Sequence, residues 1–513
     1  MRRGIIATAA AVTALALAAC SGPSTGTGTS TAATSSAPKT LTLAPITDAL
    51  PWDIAESGLG NNTLYYQAPY DSLLRLDPTG KVIANLVTEW KYTDEGNTVL
   101  ALTLRDDVTF TDGEKFDAAA VKANFEHNAT GANEVAGQLK VIKSTEVVDA
   151  THVTVTLSAP DPSFVYNIGS GAGNMASPKA IKEGTLKDGP VGSGPYVMDK
   201  AATTAASVYT FVRNEKYWNK EAFPFDKVVF KPMTDPTAML NALRAGQIDG
   251  GLLTTPKNIA PAKAGGLNIL EYAPGDVNGV YIWDREGKIC KPLADVKVRQ
   301  AINYSFDRET IIAKAFQGMG TSTLQVFNPS STAFDAALNS TYSYDPAKAK
   351  ALLAEAGYAN GFSCDTIDLS SYFPEAQAAM IEQLKAVGIT LTAKQVPAAQ
   401  VITDLLAAKF PISFFALASF RSWDTVTIQL KKDSLWNLFK VDDPKVSELV
   451  AKAQVASEDE APAIYKELNT YITQQAWNAP WSVVKNAYAY SKNVTVVAQE
   501  YTPVPFLYNF APA

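Results

Sequence analysis

Apolar positions along this chain follow two alternating periods. A period of two places Leu100, Leu102 and Leu104 on one strand face, and Val153, Val155 and Leu157 on one face of another. Between such runs lie helices with explicit ends. Asp235-Pro236 predicts a helix closing at Gly246, and Asp345-Pro346 predicts one closing at Gly357. In each, the Asp accepts from unpaired first-turn amides, Pro tolerates the first helical position, and Gly supplies the turn at the end. Asp117 and Asp295 predict two further N-caps, and Gly388 ends a periodic helix from Glu375 to Val387 before a strand from Ile389 to Ala393. Strands interleaved with capped helices predict a mixed α/β protein, and no fixed-period repeat is visible.

The start of the chain departs from this pattern. Arg2 and Arg3 precede an apolar run from Ile5 to Leu17 that is too short to span a bilayer, so residues 1–19 read as a signal peptide. The Leu17-Ala18-Ala19-Cys20 tetrapeptide resembles the lipobox of bacterial lipoproteins, which implies that Cys20 is acylated on sulfur and becomes the first mature residue. An ordinary signal peptide whose cleavage site carries a cysteine is the alternative. Residues 20–38 then form a lipid anchor and flexible linker: Ser21 to Pro38 is uncharged and almost entirely Ser, Thr, Gly, Ala and Pro, which cannot bury enough apolar surface to order itself. No later apolar run reaches membrane-span length, so the remainder is expected to be soluble, extracytoplasmic and held at the cell membrane by lipid.

Composition narrows the function. The net charge is −7 with 19% charged residues and no basic run, which argues against nucleic acid as a partner. The chain is too long for one core and implies two or three domains. There are 3 cysteines and 2 histidines. With Cys20 lipidated, Cys290 and Cys364 remain as an even pair in an oxidising compartment, which admits a disulfide between them whose geometry sequence does not test. His127 and His152 lack ligand spacing, and neither a metal site nor a cofactor is expected.

Several segments in sequence order carry a resemblance that periodicity does not supply. They are Glu89-Trp90, Leu102 to Arg105, Val108 to Gly113 with Phe116-Asp117-Ala118 and Val121, Gly192 to Tyr196, Arg213 to Trp218, Ala245 to Asp249, Asp295 to Tyr304 with Asp307-Arg308, and Tyr344-Asp345-Pro346 through Ala356-Gly357-Tyr358. Together they resemble the family 5 extracellular solute-binding proteins, receptors of the peptide and nickel class of ABC importers. Most of these motifs read as structural. Thr111-Asp112-Gly113 is a tight turn, Arg299 pairs with a carboxylate or caps a helix end, and Gly169 to Gly173 is a loop, since no Lys-Ser/Thr follows it as a phosphate cradle requires.

The resemblance implies a two-lobed periplasmic-binding-protein-like fold with hinge strands and an extra subdomain in the first lobe. Its expected divisions are lobe I at 39–283 with an inserted subdomain at about 75–190, lobe II at 284–480, and a return to lobe I at 481–513. The crossings are expected near Val280 to Asp284 and Asn478 to Val483, where Tyr281, Trp283 and Trp481 could stack on a ligand or fill the interface. Lobe-one ligand candidates are Trp52, Asn61, Tyr65 and Tyr66. In peptide-binding members a late segment reads Trp-x-x-Asp-Tyr, and its Asp pairs with the peptide amine. Here Ala416 stands at the Trp and Ser419 at the Asp. The amine anchor is therefore expected to be missing unless Asp424 substitutes, and Phe420, Trp423 and Trp436 would suit stacking on a sugar.

The function implied is an ABC-importer substrate-binding lipoprotein, a monomer that captures a di- or oligopeptide or related small polar solute and delivers it to membrane permease subunits. An oligosaccharide receptor of the same family is the alternative. An exported hydrolase is disfavoured: no Gly-x-Ser-x-Gly elbow stands out, and histidine is too scarce for the usual proton shuttle.

Overall fold

A computed structural model describes residues 39–273 and 275–513. The signal segment, the Cys20 lipobox and the 20–38 linker lie outside the described residues. The capped helices form where the sequence places them. Asp235 Oδ1 accepts from the Ala238 amide at 2.6 Å to open Pro236–Arg244, and Asp345 Oδ1 accepts from the Lys348 amide at 2.9 Å to open Pro346–Glu355. Asp117 and Asp295 cap Ala118–Asn128 and Val296–Tyr304 in the same way. Gly388, at φ 103°, separates the helix Pro374–Ala386 from the strand Ile389–Lys394, a backbone setting that a side chain would strain. Arg299 caps carbonyls, donating to Leu293 O, Ala294 O and Gln475 O.

Three sheets organise the body. The largest has seven strands in the order 196–198, 209–213, 227–230, 40–44, 250–253, 486–490 and 268–272. Its centre is parallel, with Leu41 opposite Val228 and Leu43 opposite Phe230, and both leucines, on one face of their strand, are fully buried. A four-stranded antiparallel sheet runs in the order 87–92, 99–104, 152–157 and 142–147. Here the two predicted faces meet: Leu100 lies opposite Val155 and Leu102 opposite Val153, and all four join Val121 and Phe125 in one apolar core.

The third sheet orders its strands 320–322, 478–484, 276–282 and 412–418. The chain passes from the seven-stranded sheet to this one between Tyr272 and Asp276, and returns between Val484 and Asn486. The expected crossing stretches correct accordingly, since Val280 to Ile282 and Asn478 to Val483 lie inside this sheet. They are aromatic and poor in charge because they form its buried middle, with Val280, Ile282 and Trp481 at 0% exposure. Cys290 and Cys364 are disulfide-bonded, with Cα atoms 5.9 Å apart, beside the apolar core of this sheet.

Candidate ligand-binding cleft

A cavity of about 700 Å³ lies between the segment 420–428, which follows the strand Ile412–Ala418, and an opposite wall. That wall comprises the 59–63 turn, the helix Glu134–Leu139, the stretch 161–170 and the loop 501–503. The segment is shaped by one helical turn, Ser422–Thr425, running into a wider π turn, Val426–Leu430. Trp423, Val426 and Leu430 anchor it in a core with Phe327, Leu468 and Ile472, leaving Arg421 and Asp424 on the cavity. The two pair bidentately: Arg421 Nη2 donates to Asp424 Oδ1 at 2.6 Å, and Nε donates to Oδ2 at 2.9 Å.

The pair also touches the opposite wall. Ser163 Oγ donates to Asp424 Oδ1 and accepts from Arg421 Nη2, both at 3.2 Å. The guanidinium carbon lies 3.5 Å from the centre of the Tyr166 ring, a cation–π contact. More distant ties join Gln454 Nε2 to Pro160 O at 2.9 Å and Tyr501 Oη to Ser330 O at 2.7 Å. The cleft is thus bridged by direct protein contacts.

Its charge is unbalanced. The lining holds the carboxylates of Glu134, Asp161 and Asp424 against one guanidinium, that of Arg421. Burial pushes the Asp161 carboxyl above the ordinary range and Asp424 adds to the shift, against the Ser163 amide, Arg421 and Trp423, which favour the ionised form. Burial alone would lower Arg421, but Asp424, Tyr166 and Asp161 outweigh it and hold its pKa above the usual value. Arg421 is thus committed to Asp424, and among the described residues Asp161 lies in the same partly desolvated cleft with no ion-pair partner, an arrangement that a second cation would complete. Among the described residues, no group of three or more His, Cys, Asp or Glu gathers as a metal site.

The sequence-predicted residues divide sharply. Asn61, Phe420, Trp423 and Asp424 line the cavity. Ser419 does not: it is fully buried, and its Oγ accepts from the Asn328 amide at 3.0 Å and pairs with Thr425 Oγ1 at 2.9 Å. Trp481 packs between Phe306 and Phe414, at ring distances of 5.1 and 5.3 Å. Tyr281 stacks on Trp283 at 5.0 Å, and Trp436 completes that cluster against Phe415 at 4.8 Å. Trp52 and Tyr65 sit among Tyr209, Phe211 and Phe230, where Tyr65 Oη donates to Thr47 O. Tyr65, Tyr281, Trp283 and Trp481 are core because large apolar rings gain most where water is excluded, whereas Trp52 and Trp436 are half-buried and pack against those clusters outside the cavity lining. Sequence reasoning missed Asp161, Ser163, Tyr166 and Arg421. Asp161-Pro162-Ser163 signals a turn, but nothing local says that the turn faces the 420–428 segment.

With this geometry in place, comparison with known proteins gives a consistent result. Residues 81–431 match the profile described as bacterial extracellular solute-binding proteins, family 5 Middle. The glutathione-binding protein GsiB of Salmonella paratyphi A is 30% identical over 452 residues, covering 83% of this chain and 85% of that protein. HbpA2 from Haemophilus parasuis superposes with a TM-score of 0.83 at 20% identity, covering 92% of this chain and 100% of the other. DppA from Helicobacter pylori, solved with the peptide STSA, superposes with a TM-score of 0.69 at 20% identity, covering 92% and 98%. The fold is the two-lobed one of periplasmic binding proteins.

Proposed function

Because this chain belongs to family 5 of the bacterial extracellular solute-binding proteins, the substrate-binding components of ABC importers, we propose that its cavity captures a small polar solute carrying an ammonium group, which Asp161 receives. One observation carries this reading: Arg421 spends its fork on Asp424, so that among the described residues Asp161 faces the same cavity with no ion-pair partner of its own. A solute ammonium restores the balance, so a peptide or related amine fits better than a neutral oligosaccharide. Phe420 and Trp423 in the lining favour the oligosaccharide as a second reading. The volume of about 700 Å³ falls among ordinary small-molecule sites. A relative named for glutathione binding and a neighbour solved with a peptide are in keeping with the choice.

In this reading the binding amine anchor moves from position 419 to the opposite wall. Residues 39–272 with 486–513 act as one lobe and 276–484 as the other, closing as the solute touches both. The protein works as a monomer, moored outside the cytoplasm through Cys20, hands its solute to permease subunits and performs no chemistry. A thermal-shift screen of free-amine peptides, their N-acetyl forms and neutral oligosaccharides tests it. Stabilisation by the amines alone, with no solute consumed beyond one equivalent, is the expected result. Stabilisation by oligosaccharides or by N-acetyl peptides to the same degree overturns the ammonium assignment, and sustained turnover overturns the receptor.

A further inference from the structure

A second, smaller cavity of about 30 Å³ lies beside the cleft and shares Thr63 and Ser170 with its wall. By volume it holds roughly two water molecules, which is also the size of one carboxylate group. Arg75, on the strand Leu74–Leu76, lines it. The guanidinium carbon lies 5.2 Å from the centre of the Phe223 ring and 4.8 Å from that of Tyr508, and Nη2 donates to Tyr217 Oη at 3.2 Å.

Asp71 approaches Arg75 only to 4.0 Å. Its oxygens are already satisfied by Tyr217 Oη at 2.8 Å, Ser193 Oγ at 3.1 Å and Trp218 Nε1 at 3.3 Å. Among the described residues, Arg75 Nε and Nη1 consequently have no hydrogen-bond partner, and neither is sealed from open space. The Asn174 side chain, in a residue only 6% exposed, and the Ser170 hydroxyl also line this cavity with no hydrogen-bond partner among the described residues. A purely structural arginine would be expected to spend its donors on carbonyls, as buried Arg308 does on Pro480 O, Asn303 O and Phe306 O.

We propose that this side pocket binds the carboxylate of the solute, with Arg75, Asn174 and Ser170 as donors. The assignment rests on the cleft reading above and extends it: the solute is a zwitterion, its ammonium at Asp161 and its carboxylate at Arg75. The guanidinium packs against the Phe223 and Tyr508 rings, which limits its rotation and suits planar carboxylate recognition by its fork.

Calorimetry of the purified protein with Ala-Ala-Ala, its C-terminal amide and its N-acetyl form tests the pocket. The amide is expected to bind about tenfold or more weakly than the acid, as loss of a charge-assisted contact implies. In Arg75→Gln the acid-to-amide ratio should collapse to below twofold, and Arg75→Lys should keep part of it. Equal affinity for acid and amide in the unmodified protein, or equal weakening of both by Arg75→Gln, overturns the proposal. If acetylation costs affinity and amidation does not, the pocket fails and the cleft reading stands; the opposite pattern removes Asp161 and leaves the pocket. Binding by none of the three overturns both. The acid and amide are compared on the unmodified protein, so the test survives an Arg75 variant that does not fold.

Discussion

Replacing Asp161 with Asn separates charge from shape on the cleft wall. The amide oxygen can still accept from the Ser163 amide, which donates to Asp161 Oδ1 at 2.9 Å, so local geometry is retained. In the empty protein the carboxylate is a liability: burial raises its pKa, and Asp424 adds to the rise. A carboxyl whose folded pKa exceeds its unfolded value near 3.9 binds its proton more tightly when folded. Its contribution to stability is present below that unfolded value and lost as pH rises through the folded one. At pH 7 Asp161→Asn should therefore raise the melting temperature of the empty protein. Binding moves the other way. An ammonium and a carboxylate 4 Å apart attract by about 4 kcal/mol at an effective dielectric of 20, and desolvation reduces the net to about 1.5–3 kcal/mol. Affinity for a free-amine tripeptide should fall about 10- to 150-fold. The unmodified protein should also gain affinity as pH climbs from about 4 through the raised Asp161 pKa, whereas the variant should show a flat profile. Scanning calorimetry and titration calorimetry across pH read both quantities. A variant that loses melting temperature and affinity together has lost structure, and one that keeps full affinity places the ammonium elsewhere; either result refutes the reasoning.

Removing the Cys290–Cys364 bridge by paired serine substitution should cost about 2–4 kcal/mol in denaturant unfolding, because it closes a long loop, whose sequence separation is 74. Unchanged stability would show that the bridge does not constrain the unfolded chain. Trp481→Ala should cost about 3–5 kcal/mol through the cavity it leaves, read by the same unfolding, since the ring is fully buried between Phe306 and Phe414; a large effect on binding without loss of stability would return Trp481 to the ligand. Cys20→Ser should move the protein from the membrane fraction to the soluble one on cell fractionation. Continued membrane retention would refute lipidation at that residue.

What the amino-acid order settled by itself is local. Asp-Pro opens the helices at Asp235 and Asp345, since the capping bond spans three residues and needs no partner elsewhere. Period-two runs such as Leu100 to Leu104 specify a strand and its buried face, and family motifs distributed along the body specify the two-lobed plan. Ligand contact is different, because it depends on which surfaces meet across hundreds of residues. Ser419, expected from the family resemblance at a binding position, turns into the protein, where Asn328 and Thr425 hold it. Trp481 and Asp161 show the same division from opposite sides: an aromatic strand residue resembles a ligand platform until its neighbours are known, and a turn aspartate resembles surface until Arg421, 260 positions later, is found on the same cavity. Composition sets how much a side chain can contribute, but only the tertiary approach of two walls decides whether it meets water, core or solute.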